Sequence, residues 1–494
     1  MNTRNLWHGS VILVLLAGAT VGCAVNPATG ERQLSLVSEA QEVQIGRQSA
    51  EQIRQTMSMV DDPELQQYVS DLGQKLAADS ERPDLPWSFS VVDDPTPNAF
   101  ALPGGFIYVT RGMLNLMNNE AELALVLGHE IAHVTARHSV AQISRAQLAQ
   151  LGLGLGMILI PEARPFGDLA GLGMNLLMLK YGRDAEREAD ELGFGYAQQQ
   201  NYDVSQMGNV FESLGRMSDL EGQSPLPSWF ATHPAPEERV EAVEERLAGV
   251  ISEDPDAIVD REEYLDHIDG LPYGNNPRNG FFRDGTFYHP DLEFTFSVPS
   301  DWQTRNLARA VVAQNAEGNA AMQLTLIDVD EPVQALRQFA GQEGVQVGRA
   351  SEDTVNGLSA ASGLFQARTQ QGQVAGLVSF IGHGEYVYQI VTFTPAQAFA
   401  QQQDEFARIA ESFAPLDDPE ILAVEPPVID IVRVDAAMTL AEFDRRYPSA
   451  IPTERLALLN QLDGPESRVE AGTHLKRVVG DPELFAQNGR ASGR

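Results

Sequence analysis

The stretch LVLGHEIAHVTARHS, from Leu125 to Ser139, places histidines in an otherwise apolar segment. His129 and His133 are four residues apart, so in an α-helix both imidazoles leave the same face, one turn apart. This spacing supplies two ligands to a tetrahedral zinc ion. Glu130 lies between them, where its carboxylate can act as a general base. The stretch therefore predicts a zinc-binding helix that also carries a catalytic carboxylate.

The surrounding sequence predicts that this helix is buried. From about Asn119 to Ser139 it is apolar on nearly every side. Two histidines and a glutamate inside such a helix are costly unless they are paired or coordinate a metal. The alternative is that both histidines are hydrogen-bonded core residues. His138 is turned by about 140° away from the ligand face, so we expect it to pack or hydrogen-bond nearby and not to bind the metal.

A second helical segment, YGRDAEREADELGFGYA at residues 181–197, offers a carboxylate as the third ligand. Glu186 and Asp190 share one helix face because they are four residues apart. Glu186 would complete a set of two histidines and one glutamate and leave the fourth position for water, as a catalytic zinc requires. Asp190 could orient a ligand histidine through its second ring nitrogen. The alternative is a solvated acidic face, since Glu188 and Glu191 lie in the same segment.

HEIAHVTARHS followed by YGRDAEREAD resembles the zinc metallopeptidase family of CaaX prenyl proteases, the HtpX heat-shock protease and periplasmic BepA. The resemblance runs from about residue 26 to residue 250. It implies a mainly helical, gluzincin-type zincin domain with a small sheet and one Zn²⁺ per chain. It also implies a role for each motif residue: zinc ligands His129, His133 and Glu186, catalytic base Glu130, and supporting carboxylate Asp190.

PNAFALPGGFIYVTRGML, at residues 97–114, resembles the segment that precedes the metal helix in this family. The resemblance implies an edge strand that pairs with an extended substrate. Its residues here are Asn98, Ala99, Phe100, Ala101 and Leu102.

THPAPEERVEAV, at residues 232–243, resembles the loop that follows the site. In the BepA-like group the histidine of this loop, here His233, can occupy the open zinc position and keep the enzyme latent. Arg239 matches an arginine of the same pattern and would steady the loop or an oxyanion. Without the resemblance, His233 has the features of an ordinary loop histidine.

The composition excludes some classes of function. Of 494 residues, 69 are acidic and 34 are basic, which gives a formal net charge of −35. Such a chain would be repelled by nucleic-acid phosphates, so we expect no nucleic-acid partner. The simpler interpretation of the charge is solubility.

The first 22 residues predict a signal peptide. Arg4 precedes an apolar run from Val11 to Val21 that is too short for a stable transmembrane helix, and small residues then lead to Cys23, the only cysteine. The pattern resembles a bacterial lipoprotein signal, with Cys23 lipidated, although Thr20 departs from it. The alternative is a plain secretory signal. Both interpretations predict export to the periplasm, and lipidation would add a membrane anchor in the outer membrane.

The length predicts several domains. After the peptidase domain we expect an acidic linker at 251–280 and an α+β accessory domain at 281–416, which resembles the small α/β sandwich of PsbP-like domains. A strand–helix–helix–strand module at 428–479 resembles LysM and would bind peptidoglycan, and 480–494 would be a disordered tail.

The sequence therefore predicts a multidomain α+β protein: an exported zinc endopeptidase that cleaves unfolded or misassembled envelope proteins. Two alternatives remain, a chaperone-like assembly factor with little proteolysis and a scaffold that binds the cell wall.

Overall fold

The structure, a computed structural model, describes residues 23–152, 181–220, 229, 233, 256–369 and 372–480. The predicted signal peptide at 1–22, Arg239 and the predicted tail from residue 481 onward lie outside this part of the chain. The protein is a multidomain α+β protein with two compact units. One unit comprises the chain up to Tyr273 together with Val428–Val479, and the other contains Gly274–Pro427. No helix of the described ranges is long and apolar enough to cross a membrane.

The first unit begins with a short antiparallel ribbon and continues with helices around a three-stranded sheet. Its elements up to Tyr273 are β1 (Cys23–Val25), β2 (Arg32–Leu34), α1 (Glu39–Thr56), α2 (Pro63–Ala78), β3 (Ser88–Val92), β4 (Ala99–Leu102), β5 (Phe106–Thr110), α3 (Arg111–Leu116), α4 (Glu120–Thr135), α5 (His138–Gly152), α6 (Arg183–Gln199), α7 (Met207–Leu220) and α8 (Arg261–Ile268). In the sheet, β5 lies between β3, which is parallel to it, and β4, which is antiparallel.

Local sequence explains where these helices begin. The Ser38 hydroxyl accepts a hydrogen bond from Gln41 N, and the Gln41 side chain accepts one from Ser38 N, which forms a capping box at the start of α1. Asp62 caps α2, and Pro63 follows in the first helical turn, where its missing N–H costs nothing. Asn119 caps α4 by accepting from Glu122 N. Each cap satisfies N–H groups that have no partner within the helix.

The expected acidic linker at 251–280 is wrong for residues 256–273. Helix α8 buries Tyr264, Leu265 and Ile268 in the main core of the first unit. The Tyr264 hydroxyl also donates to Leu114 O at 2.6 Å. This segment is therefore a folded part of the first unit.

The C-terminal segment of the first unit has the predicted order of strand, helix, helix and strand. Its elements are β17 (Val428–Arg433), β18 (Met438–Thr439), α12 (Leu440–Arg446), α13 (Thr453–Leu459), β19 (Arg468–Val469) and β20 (His474–Val479), with β17 antiparallel to β20. The LysM-like assignment stays a prediction. The segment is not a separate body, because it belongs to the same compact unit as the helices of residues 23–273.

A buried lysine joins this segment to the end of α3, just before α4 begins. Lys476 is fully buried, and its ammonium donates to Asn115 O at 2.8 Å and to Met117 O at 2.9 Å. Nearby, Gln461 Nε2 donates to Glu122 Oε2 at 3.0 Å. Burial raises the pKa of Glu122 and lowers the pKa of Lys476, and the attraction between the two charged groups opposes both effects. The segment therefore satisfies polar groups at the beginning of the helix that carries the histidines.

The second unit is built on two antiparallel sheets. Its strands and helices are β6 (Phe281–Arg283), β7 (Thr286–His289), β8 (Phe294–Ser297), β9 (Gln303–Leu307), β10 (Ala310–Gln314), β11 (Ala321–Ile327), α9 (Pro332–Ala340), β12 (Val345–Val355), β13 (Leu358–Thr369), β14 (Gly372–His383), β15 (Tyr386–Pro395), α10 (Phe399–Glu411), β16 (Ala414–Pro415) and α11 (Pro419–Leu422). The larger sheet has seven strands in the order β12-β13-β14-β15-β11-β10-β9, and the smaller has the order β16-β8-β7-β6.

The apolar positions of the larger sheet enter two cores, one beside α9 and one beside α10. Leu336 and Phe339 of α9 pack with Phe365 and Phe380. Phe406 of α10 packs with residues of the other core, among them Tyr388. This arrangement explains the α+β pattern of the sequence at 281–416, whereas the likeness to PsbP-like domains stays a prediction.

We expect Lys476→Met to lower the free energy of unfolding by about 2–4 kcal/mol. The substitution leaves two buried carbonyl groups without their donor and removes the charge that favours ionised Glu122. Urea denaturation of the full chain, followed by helical circular dichroism, measures the change. Arg468→Met is the control, because the Arg468 side chain is 73% exposed and its loss should change stability by less than about 0.5 kcal/mol. Equal urea midpoints for wild type and Lys476→Met would contradict the expectation.

Candidate metal centre

Helix α4 carries the two motif histidines into the interior. Every residue from Ala121 to Thr135 is buried, so the polar side chains of this helix have no access to bulk water. His129 and His133 are each 1% exposed, and Glu130 is fully buried. A helix of mostly apolar residues tolerates such burial because its backbone groups are satisfied internally. The three polar side chains must then find partners within the protein.

Helices α4 and α6 approach each other at two glycines. A Cβ atom on Gly193 would lie 2.7 Å from the backbone N of His129. One on Gly128 would lie 2.9 Å from Gly193 O. Both distances are too short for a side chain, so only glycine permits this contact. Glu186 and Asp190 share the face of Gly193 at helical spacing, and the contact therefore brings both carboxylates to the histidines.

Four buried side chains converge beside this contact: His129, His133, Glu186 and His233. One ligand atom from each lies within 4.8 Å of the others. The Nε2 atoms of His129 and His133 are 3.0 Å apart. Glu186 Oε2 is 3.6 Å from His129 Nε2, and Glu186 Oε1 is 3.7 Å from His133 Nε2. His233 Nδ1 is 3.3 Å from His129 Nε2 and 3.1 Å from Glu186 Oε1.

These separations fit a zinc ion. Two ligand atoms at about 2.0–2.1 Å from a tetrahedral ion are about 3.3 Å apart, and the observed distances lie on both sides of that value. Three imidazoles and a carboxylate are also the nitrogen and oxygen donors that zinc prefers. The chemistry and spacing of this group therefore match the predicted cofactor.

Asp190 supports His129 from the other side of its ring. His129 Nδ1 lies 2.9 Å from Asp190 Oδ1. Because a carboxylate only accepts, the Nδ1–H of the neutral imidazole donates to it and the Nε2 lone pair faces the other ligand atoms.

Two further side chains contact His133. The sequence assigned no role to Tyr181, whereas it predicted that His138 packs or hydrogen-bonds nearby. The ring of Tyr181 stacks on that of His133, with centroids 4.0 Å apart, and the Tyr181 hydroxyl lies 2.8 Å from Ser139 Oγ. Burial raises the pKa of Tyr181, so its hydroxyl stays protonated. His138 Nδ1 is 2.9 Å from His133 Nδ1, which agrees with the expectation that His138 hydrogen-bonds near the site.

His233 is held by an aromatic residue four positions earlier. The rings of Trp229 and His233 stack with centroids 5.0 Å apart, and His233 N donates to Trp229 O at 2.8 Å. The other ring nitrogen of His233, Nε2, lies 3.5 Å from Glu130 Oε1. His233 therefore lies between the ligand carboxylate and Glu130.

The remaining candidates from the sequence are not among the four ligand side chains, and one of them lies outside the described residues. Strand β4 is at the edge of its sheet and contacts α4, with Asn98 just before it. Ala99 to Leu102 are each at most 8% exposed. Cys23 begins β1 and pairs with Leu34. Arg239 lies outside the described part of the chain.

Sequence reasoning missed Gly128, Gly193, Tyr181 and Trp229. A signal existed for the first two, because a glycine directly precedes His129 and another follows Asp190 by three residues, on the face that carries the carboxylates. No spacing rule identifies Tyr181 or Trp229, since their contacts depend on how the chain returns to α4.

Comparisons with known proteins agree with this geometry. Residues 63–247 match the model of peptidase family M48. The beta-barrel assembly-enhancing protease of Escherichia coli K12 is 27% identical over 338 residues, which cover 65% of this chain and 66% of the relative. The Yersinia pestis protein of the same name is 32% identical, covering 43% and 45%. Mitochondrial metalloendopeptidase OMA1 of Schizosaccharomyces pombe is 36% identical, covering 40% and 55%. The matches thus span less than two thirds of each relative.

The buried HExxH helix, the distant ExxxD helix and the nitrogen and oxygen ligand set define a zinc metallopeptidase domain. The matched residues, 63–247, are similar to peptidase family M48. The family resemblance and the zinc cofactor predicted from the sequence are confirmed.

We expect Gly193→Ala to lower zinc affinity at least about tenfold and to destabilise the protein by about 1–3 kcal/mol, because the methyl group forces α4 and α6 apart. Chelator competition measures the affinity and thermal unfolding the stability. Gly195→Ala is the matched control: it lies on the same helix, and its Cβ would meet no atom within 4 Å. That variant should keep zinc and gain up to about 1 kcal/mol of stability. Identical zinc affinities for the two variants would refute the close-approach argument.

Proposed function

We propose that the protein is a zinc-dependent endopeptidase that cleaves misfolded or misassembled envelope proteins. The observation that carries this proposal is the buried group of metal-ligating side chains with a carboxylate, Glu130, beside it. A metal site that only stabilised the fold would not need an additional buried acid at this position.

Each side chain of the metal centre would have a separate role in peptide hydrolysis. Zinc held by His129, His133 and Glu186 would supply a Lewis acid that polarises the scissile carbonyl and a water molecule. Glu130 then takes a proton from the attacking water and delivers it to the leaving amine. Asp190 keeps the imidazole of His129 in the tautomer that presents Nε2 to the metal. Each role follows from which atom of the side chain faces the ligand group.

The substrate would bind as an extended strand beside β4. A strand at a sheet edge offers backbone N–H and C=O groups to an extended chain, and this favours unfolded over folded substrates. The side chains from Ala99 to Leu102 are buried in this structure, so the edge must become uncovered before a substrate can pair with it. We therefore expect slow cleavage of folded proteins and selective cleavage of unfolded ones.

The names of the two bacterial relatives support a proposal for the location and the substrates. Both are called beta-barrel assembly-enhancing proteases, and envelope proteins are therefore candidate substrates. The export signal at 1–22 favours the periplasm, and lipidation of Cys23 would attach the protein to the outer membrane. Peptidoglycan binding by 428–479 would add a contact with the cell wall.

His233 suggests that the enzyme is latent. Its Nδ1 lies within 3.3 Å of both His129 Nε2 and Glu186 Oε1, where a fourth ligand would be, and its Nε2 faces Glu130. In this position His233 excludes the water that Glu130 must deprotonate. Activity would then require the His233 ring to leave.

The same observation favours a second candidate. Four protein ligands are typical of a closed, structural zinc site. A chaperone-like assembly factor with permanent closure would therefore bind zinc and unfolded chains without cleaving them. Variants of Glu130 and His233 separate the two functions.

We expect Glu130→Gln to abolish cleavage of casein, lowering the rate at least about a thousandfold because the general base is lost, while zinc content stays at one ion per chain. Proteolysis and metal analysis of the same preparation check both statements. Glu191→Gln, an exposed carboxylate on α6, is the control and should retain activity. Cleavage of casein by the Glu130→Gln variant would rule out the assignment of this residue.

We expect His233→Ala to raise the rate of casein cleavage by about tenfold. This gain follows if the His233 ring has left the fourth ligand position in about a tenth of the wild-type molecules. Adding Glu130→Gln to this variant should remove the gain. An unchanged or lower rate would make His233 a catalytic or structural residue. No cleavage by either wild type or His233→Ala, with zinc bound to both, would favour the chaperone-like function.

A further inference from the structure

The two ring nitrogens of His133 face opposite directions. Nε2 points toward the other ligand atoms, 3.0 Å from His129 Nε2. Nδ1 points away from them and lies 2.9 Å from Nδ1 of His138. Asp190 faces the ring of His129, and a different side chain faces Nδ1 of His133. His138 is the residue that meets this requirement.

The chain reverses direction after α4, and this reversal places His138 against the ring of His133. Arg137 has φ +59°, in the left-handed region that side chains other than glycine rarely adopt. Buried contacts hold it there: its Nε donates to Glu42 Oε2 at 2.8 Å, and its Nη2 donates to Val37 O at 2.9 Å. The same reversal places Ser139 against Tyr181.

Polar contacts continue past His138 to the N-terminal arm, which we define as residues 23–34. The first of them is an electrostatic contact with Glu188 that is longer than a hydrogen bond. His138 Nε2 lies 3.8 Å from Glu188 Oε2. The other oxygen of Glu188 accepts from Asn26 Nδ2 at 2.7 Å. The order of contacts is therefore His133, His138, Glu188 and Asn26.

Within the N-terminal arm, Asn26 is buried and held by hydrogen bonds of its own turn. Asn26 is 4% exposed, its N donates to Glu31 O at 2.7 Å, and its Oδ1 accepts from Ala28 N at 2.9 Å. Just after the arm, Leu36 N donates to Ser144 Oγ at 2.9 Å, which fastens the chain to α5. Asn26 is thus a side chain whose position is fixed by its own turn.

The proton positions follow from the contacts. A neutral His133 that offers Nε2 to a metal carries its proton on Nδ1 and must donate it. Nδ1 of His138 can accept it only if the proton of His138 is on Nε2. Glu188 favours that tautomer, because a carboxylate facing Nε2 attracts an N–H and repels a lone pair. The three side chains therefore select one arrangement of protons.

We propose that His138, Glu188 and Asn26 are positioning residues that hold His133 in its metal-binding tautomer, so that the N-terminal arm is part of the metal centre. The proposal deepens the proposed function by adding residues to its site. It rests on metal binding and does not require that the protein cleave peptides.

Two substitutions at His138 separate hydrogen bonding from packing. His138→Phe keeps a ring but removes the acceptor, and His138→Asn keeps an acceptor close to the position of Nδ1. Zinc affinity is measured on the full chain by chelator competition. We expect a loss of about 10- to 100-fold for His138→Phe, the usual cost of losing such a support, and less than about threefold for His138→Asn.

The visible spectrum of the Co²⁺-substituted protein gives a second measurement. A change in the orientation of His133 alters the d–d bands, so His138→Phe should change them and His138→Asn should preserve them. Equal affinity and equal spectra for wild type and His138→Phe would overturn the proposal. Equal losses for the Phe and Asn variants would also overturn it, because packing would then be responsible.

Substitutions at Glu188 and Asn26 test the same contacts and leave the ring of His138 in place. We expect Glu188→Gln and Asn26→Ala each to lower zinc affinity by about three- to tenfold. Glu191→Gln, on the same helix but exposed, is the matched control and should bind zinc like wild type. If His138→Phe does not fold, wild-type affinity in Glu188→Gln would overturn the proposal. The variants could lose zinc affinity as expected while the wild-type protein, with zinc bound, does not cleave casein. That result would support this proposal and refute the proposed function.

Discussion

The metal centre depends on how closely two helices can approach. Gly128 precedes the first ligand histidine, and Gly193 lies on the same face as Glu186 and Asp190. With no side chain at either position, the backbones of α4 and α6 come into contact. Carboxylates have short side chains, so a separation even slightly larger would leave Glu186 out of reach of both imidazoles. The identity of the ligands thus depends on two residues that bind nothing.

Each ligand histidine receives support from a different part of the chain. Asp190 of α6 contacts His129, His138 beyond the left-handed residue contacts His133, and Trp229 stacks on His233. Three independent supports keep three rings in fixed orientations inside a core without bulk water. This division means that one support can weaken without releasing the other two rings. It also makes the centre sensitive to segments far apart in sequence.

Spacing within one helix could be predicted, whereas contacts between distant segments could not. The pairs His129 with His133 and Glu186 with Asp190 follow from helix geometry alone. The angle assigned to His138 assumed that the helix continued, but Arg137 interrupts it with a positive φ. The segment 261–268 is polar on average and was therefore predicted as part of a linker, although three of its apolar residues form a buried helix face.

The position of Lys476 has a consequence for how the protein matures. Its side-chain nitrogen donates to carbonyl groups 361 and 359 positions earlier in the chain, at the end of α3, just before the metal helix. Those carbonyls cannot acquire their donor until the ribosome has reached residue 476. Until then, the segment that leads into the metal helix lacks this buried hydrogen-bond donor. The ligand histidines therefore emerge from the ribosome long before the last contact that supports their helix can form.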